Sequence, residues 1–351
     1  MARLAVPVRD VSRSRWGRIL TGLFILAAVT FAVLVVHRQW GQLSGLRGGE
    51  GPAFRLVPGW LALALALATV NLGWMGAVWV HLYRSVGGEL SYRRGIAVWI
   101  TTNMGRYIPG KVWQLSGLAL HLRRTGGSGA LALSASLVYQ VVILLTGAVV
   151  AASILGGRLA SLSVGNPLLW VGGLAALALL LHPAFLRRAT RVAARLTREE
   201  AEDAGTGVPG GRDLAVAGAA LLVSWGIYGL GFWCLTRGLW SRSPVSPASA
   251  TGTFAAAYVV GYAVLLAPGG LVVREGAMTA LLAALSPLGT GAAAATAVAA
   301  RVWTVASELV GLLASAGAAR AGGSPGPRTG TPAPGDGRGE GPSADGEDGG
   351  T

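Results

Sequence analysis

The sequence predicts an all-α polytopic membrane protein, and three observations carry that prediction. Hydrophobic residues make up 52% of the 351 and charged residues only 13%, about half the charge of a soluble domain. Several apolar runs reach the ~18 residues that cross the hydrocarbon of a bilayer. Those runs do not alternate apolar and polar residues, so they do not read as strands of a closed barrel.

The elements follow in order. Full spans are expected at about 17–36, 57–80, 129–153, 167–182, 213–236 and 290–316. The arginine-rich start before "ILTGLFILAAVTFAVLVV" resembles a signal peptide in its charge. Its apolar run is too long and no small-residue cleavage site follows cleanly, so it reads as an uncleaved first span. Residues 1–16 form a basic cytoplasmic N-terminus. The charged stretch "RRATRVAARLTREEAED" within 187–212 reads as a short helix on the membrane surface. Beyond 316 the composition turns to glycine, proline and acidic residues. With nothing apolar larger than alanine from 321 on, 317–351 is expected to be a disordered tail.

Two segments depart from the pattern of full spans. Pro109-Gly110 interrupts 91–124, and Pro268-Gly269-Gly270 interrupts 250–286. In the first, each limb has about 12–14 residues, or roughly 18–21 Å, short of the ~30 Å core. Each segment reads as a re-entrant hairpin or as one broken spanning helix, the second giving eight helices in all. Arginine placement favours the hairpin for 91–124. With the N-terminus inside, Arg84, Arg93, Arg94, Arg123, Arg124 and the cluster from Arg187 to Arg198 then all fall inside. The second hairpin would enter from outside and leave the tail inside.

The chain then divides into a half at 17–153 and a half at 154–316, each reading span, span, hairpin, span. From the end of the second span to the hairpin proline is 29 residues in one half (Val80 to Pro109) and 32 in the other (Thr236 to Pro268). The halves run in opposite orientation, so the fold class includes an inverted 3+3 repeat of spans with two hairpins. Broken helices in inverted repeats are a transporter architecture with its site near the midplane.

Charge excludes other classes. The net charge of +14 sits on arginines flanking apolar runs, with no basic-aromatic module, so nucleic acid is not an expected partner. The lone Cys234 excludes an intramolecular disulfide. His81 and His121 have no carboxylate or cysteine at metal spacing, and no P-loop or nucleophile elbow is present, so no metal or other cofactor is expected.

Few charges lie within apolar segments: Arg106, Lys111, Arg274, Arg301, Glu275 and Glu308. Each costs about 2.5–3.5 kcal/mol on insertion scales, so they require pairing or a wet cavity. Arg301 and Glu308, seven apart on one helix, share a face and read as a coupling or structural ion pair. Lys111 is the only lysine in the chain. It follows Pro109-Gly110, where a break leaves helix N–H groups free to bind an anion. There a compact ammonium neutralises a phosphate as a point charge and can lose its proton, which arginine does less readily. The alternative for Lys111 is snorkelling from a limb end. Arg106, Tyr107 and Gln114 complete the candidate headgroup site, together with Asn103, Arg274 and Glu275. Trp113 reads equally as a packing aromatic, and Asn71, Asn103 and Gln140 read as interhelical hydrogen-bonding groups.

"NMGRYIPGKVWQ" together with "PGGLVVREGA" resembles the flippase-like membrane family, also described as the lysylphosphatidylglycerol synthase transmembrane region. The resemblance spans about 17–316. Its first motif falls on Asn103, Arg106, Tyr107, Pro109, Gly110 and Lys111. Its second falls on Pro268, Gly269, Gly270, Arg274, Glu275 and Gly276, with Val272 where the family usually has a small residue. The resemblance implies a multi-pass protein of the cytoplasmic membrane that handles a phospholipid or a polyprenyl-phosphate-linked lipid. It implies translocation rather than catalysis, because only the tail follows residue 316 where bifunctional relatives carry a synthetase domain. The alternative is a non-catalytic accessory subunit of a lipid or glycan synthase. A polyprenyl-phosphate transferase would need a metal-binding aspartate pair or a large loop carrying a base.

Overall fold

The computed structural model describes residues 54–103, 112–161, 208–240, 242–263 and 273–321, with isolated positions at 182, 184, 188 and 191. The spans expected at 17–36 and 167–182 lie outside the described residues, as do both breaks, the tail, and most of the surface-helix segment. The described residues form eight helices and one isolated β-bridge. They are α1 (Pro58–Ser85), α2 (Tyr92–Asn103), α3 (Val112–Arg124), α4 (Gly129–Ser161), α5 (Gly211–Leu239), α6 (Pro247–Ala263), α7 (Val273–Leu285) and α8 (Thr290–Ala321). Four of them, α1, α4, α5 and α8, are long and apolar enough to cross a membrane. The 12 and 13 residues of α2 and α3 reach only about 18–20 Å. The chain is an all-α polytopic membrane protein.

Local sequence sets where these helices stop. Pro58 opens α1, where its missing N–H costs nothing. At its other end Gly87, with φ +98°, turns the chain into the left-handed region. Gly88 N–H then bonds Tyr83 O at 2.9 Å and Gly87 N–H bonds Arg84 O at 3.0 Å, the double closure that glycine permits at a helix end. The same closure recurs after α3. Gly126 has φ +86°, Gly127 N–H bonds Leu122 O at 2.9 Å and Gly126 N–H bonds Arg123 O at 3.3 Å.

Side-chain contacts fix the direction of each helix. Backbone bonds from Arg55 to Leu239 and from Val57 to Gly238, both 2.9 Å, tie the start of α1 to the end of α5. At the other end His81 lies 3.5 Å from Asp213, so α1 and α5 are antiparallel. Trp79 stacks on Tyr83 with centroids 5.4 Å apart and donates its indole N–H to Ser136 Oγ at 2.9 Å. A Cβ at Gly127 would sit 3.1 Å from the Tyr83 hydroxyl. The end of α1, the turn into α2, the end of α3 and the start of α4 therefore share one end of the bundle. At the opposite end Trp240 donates to Thr296 Oγ1 at 2.8 Å, which sets the start of α8 beside the end of α5.

The packing pattern is symmetric in kind. Exchanging α1–α4 with α5–α8 maps every substantial helix pair onto another. The pair α1–α2 maps onto α5–α6, α3–α4 onto α7–α8, α2–α8 onto α6–α4, and α1–α5 onto itself.

Inside the bundle, three buried hydroxyls find partners in protein rather than water, as lipid requires. Ser136, Thr146 and Thr296 each donate to the carbonyl four residues earlier on their own helix. Each then accepts from an indole, of Trp79, Trp225 and Trp240 respectively. Glycine lets the backbones close up: Gly229 faces Thr251, Gly252 faces Leu155, and Gly238 faces Leu61.

A Cβ at Gly229 would run into Thr251, whereas one at Gly226 meets nothing within 4 Å. Gly229→Leu is expected to lower stability by about 1–3 kcal/mol through overpacking. Gly226→Leu is expected to leave it unchanged. Thermal unfolding in detergent checks both, and an equal effect at the two positions would contradict the α5–α6 packing.

Candidate functional site

The candidate site is built where α7 meets α6 and α8. Arg274 and Glu275 are the second and third residues of α7. Consecutive residues of a helix diverge by about 100°, and these two separate accordingly. The Arg274 guanidinium lies over Phe254, 4.9 Å from its centroid, and 5.8 Å from that of Tyr258. Phe254 and Tyr258 stand one turn apart on α6 and form a platform for the cation, a contact worth about 0.5–2 kcal/mol. Glu275 turns to α8, where Oε1 lies 3.9 Å from Arg301 Nη1. Both side chains of this pair are largely buried, at 22% and 16% exposed. A carboxylate in the first turn is also favoured by the helix dipole.

Small residues make the room. Ala297 and Ala300 on α8, with Met278 on α7, pack around Arg274, Glu275 and Arg301 and leave no water-sized cavity among them. Gly261 lets α6 approach the Arg274 backbone, since a Cβ there would lie 2.7 Å from the Arg274 Cβ. Arg301 is the twelfth residue of α8, about 17 Å along it. The spanning part of that helix, Thr290–Ser315, is about 39 Å long. The pair therefore lies near the middle of the bundle, where low dielectric strengthens any charge interaction.

A second polar group lies further along α8. Glu308 is 2% exposed, with Ser307 and Thr304 also buried. The two hydroxyls donate within α8, Ser307 to Thr304 O at 2.7 Å and Thr304 to Arg301 O at 2.9 Å. A Cβ at Gly311 would contact Leu72 of α1 and Ile100 of α2. Asn103, 3% exposed, lies one turn beyond Ile100. Glu308 lies one turn before Gly311. Because α2 and α8 run antiparallel, the two are set at one depth. Asn71, fully buried midway along α1, donates its amide N–H to Met75 Sδ at 3.8 Å.

The sequence coupled Arg301 with Glu308 through their spacing; the structure also gives Arg301 a partner on another helix, Glu275. It places Arg274 on an aromatic platform that no charge pattern signalled, although Phe254 and Tyr258 at i, i+4 were visible as one helix face. It also brings Asp213 to His81, across two helices far apart in sequence. Arg106, Tyr107, Pro109, Gly110, Lys111, Pro268, Gly269 and Gly270 lie outside the described residues. So do the side chains of Trp113 and Gln114.

A family model described as "Lysylphosphatidylglycerol synthase TM region" matches residues 19–311. No curated protein and no solved structure matches the chain.

Glu275→Gln and Arg301→Gln are each expected to destabilise the fold, since each strands a largely buried charge. The double variant should lose less than the sum, with a coupling of about 0.5–3 kcal/mol. Thermal or urea unfolding of the four proteins in detergent measures that coupling, and additivity would contradict the ion pair.

Proposed function

Because the chain belongs to the lysylphosphatidylglycerol synthase TM region family, we propose that it is a translocator of lipids with anionic headgroups, phospholipid or polyprenyl-phosphate-linked. The observation that carries this reading is the largely buried pair Glu275–Arg301, with Arg274 beside it, at the first turn of a short helix near mid-bundle. Two guanidiniums from α7 and α8 beside that carboxylate offer several N–H donors to the oxygens of an anion.

Packing supports the transport geometry. The segment α2–α3 starts and ends at one end of the bundle, and α6–α7 at the other, which fits two re-entrant hairpins in an inverted repeat. Arg84, Arg93, Arg94, Arg123 and Arg124 collect at the first end, so that end faces the cytoplasm of a plasma-membrane protein by the loop-charge rule. The headgroup then meets Lys111, Arg106, Tyr107 and Gln114 from the first hairpin, and Arg274 and Glu275 from the second. Lys111 neutralises the phosphate as a point charge at the free N–H groups of its limb. Glu308, buried beside the level of Asn103, takes up the coupling proton.

Lys111→Met keeps the length of the side chain and removes its charge. In vesicles of phosphatidylglycerol with a fluorescent lipid quenched from outside, this variant is expected to lose at least about tenfold in translocation rate. Its melting temperature should stay that of the wild type. Wild-type translocation by the folded variant would overturn the reading and favour an accessory subunit of a synthase.

A further inference from the structure

The end of the bundle shared by the α1–α2 turn and the α3–α4 turn is rich in arginine. Arg84 stands at the end of α1, Arg93 and Arg94 at the start of α2, Arg123 and Arg124 at the end of α3, and Arg212 at the start of α5. All are exposed. Among the described residues, the carboxylates at this end are Glu89 and Asp213. Asp213 lies against His81 at 3.5 Å.

Helix dipoles account for part of this set. Arg84, Arg123 and Arg124 stand in last turns, where the negative end of a helix favours a cation. Arg93 and Arg94 stand in the first turn of α2, beside a positive end, and no acidic residue shares that turn. The fold therefore gathers like charge where the backbone of α2 opposes it.

Packing leaves space beside that charge. An open hollow of about 710 Å³ is lined by Arg84 and by Gly87 through Tyr92. A Cβ at Gly88 would run into the Tyr83 ring, so the turn lies close against α1. The Arg84 guanidinium lies over the Tyr92 ring, 5.4 Å from its centroid, which orders a long cationic side chain at the surface. Tyr92 is itself 42% exposed. An exposed tyrosine beside the end of a spanning helix belongs at headgroup depth.

We propose that this surface binds an anionic phospholipid of the surrounding leaflet, its headgroup charge held by Arg84, Arg93 and Arg94 around the α1–α2 hollow. Charge complementarity calls for an anion, and position makes it a lipid. Arg84 is in the last turn of a spanning helix, so lipid headgroups surround it at high local concentration, and basic clusters at that depth attract acidic lipids. The surface lies at the end of the bundle, away from the buried Glu275–Arg301 pair. The proposal goes beyond the translocator reading and does not depend on it.

A local probe tests it. Ser91, exposed and in the lining of the hollow, is replaced by cysteine in a Cys234→Ala background and labelled with a small fluorophore. The full chain is reconstituted in phosphatidylcholine vesicles. These contain a small fraction of either phosphatidylglycerol or phosphatidylcholine carrying a nitroxide high on one acyl chain. Quenching by labelled phosphatidylglycerol should exceed that by labelled phosphatidylcholine by about two- to fivefold at low salt. The excess should vanish near about 1 M salt, where exposed charges are screened. Arg84→Gln, Arg93→Gln and Arg94→Gln together should abolish the preference at an unchanged melting temperature. Arg84→Lys, Arg93→Lys and Arg94→Lys together should keep at least half of it. Equal quenching by the two lipids in the wild type would leave the surface to an acidic protein partner and overturns the proposal. So does a preference that salt leaves unchanged, or one that survives the glutamine substitutions.

Discussion

The exclusion of water from the middle of the bundle is the constraint on which the rest of the structure depends. A backbone or side-chain polar group at that depth has to find its partner in protein. The long helices meet this with their own hydrogen bonds. Their hydroxyls bond backward along the helix and accept an indole N–H from a neighbour, as Thr146 does from Trp225. Helices of 13 residues cannot cross the membrane alone, so α3 and α7 are packed against α4 and α8 rather than left to lipid.

The same constraint concentrates chemistry. Charge at mid-bundle is tolerated where α7 begins, because an ion pair to α8 and an aromatic face from α6 converge there. Small residues in the surrounding helices, Gly261, Ala297 and Ala300, supply the space for long arginine side chains. Fold and site are therefore one arrangement. Arg274 and Glu275 stand on the first turn of a helix too short to cross the bilayer by itself.

Much of this was legible in the sequence. Apolar run length located the four described spans; the breaks expected at Pro109-Gly110 and Pro268-Gly269-Gly270 lie outside the described residues. Boundaries were less legible: a span expected to end at Val80 runs to Ser85. Its last turn carries His81, Tyr83 and Arg84, which lower local hydropathy, while the actual stop is set by Gly87. The expectation of a repeat rested on spacing and not on residue identity, because bilayer thickness constrains length more tightly than composition. The partners of the buried charges were not legible. Spacing along one helix pointed from Arg301 to Glu308, whereas the contact to Glu275 arises from how α7 packs on α8. The platform under Arg274 arises from how α6 approaches at Gly261.

The central claim is that the two halves open to opposite faces of the membrane around one buried charged site. Its most direct test is labelling of single cysteines in intact cells with a membrane-impermeant maleimide, in a Cys234→Ala background. Ser91 and Thr125 bracket α2–α3, and Arg242 and Pro287 bracket α6–α7; all four are exposed and lie outside the helices. Cysteines at 91 and 125 should be labelled only after the cells are opened, and those at 242 and 287 in intact cells. Labelling of 91 and 125 from opposite faces would mean that α2–α3 crosses the membrane, and the account would fail.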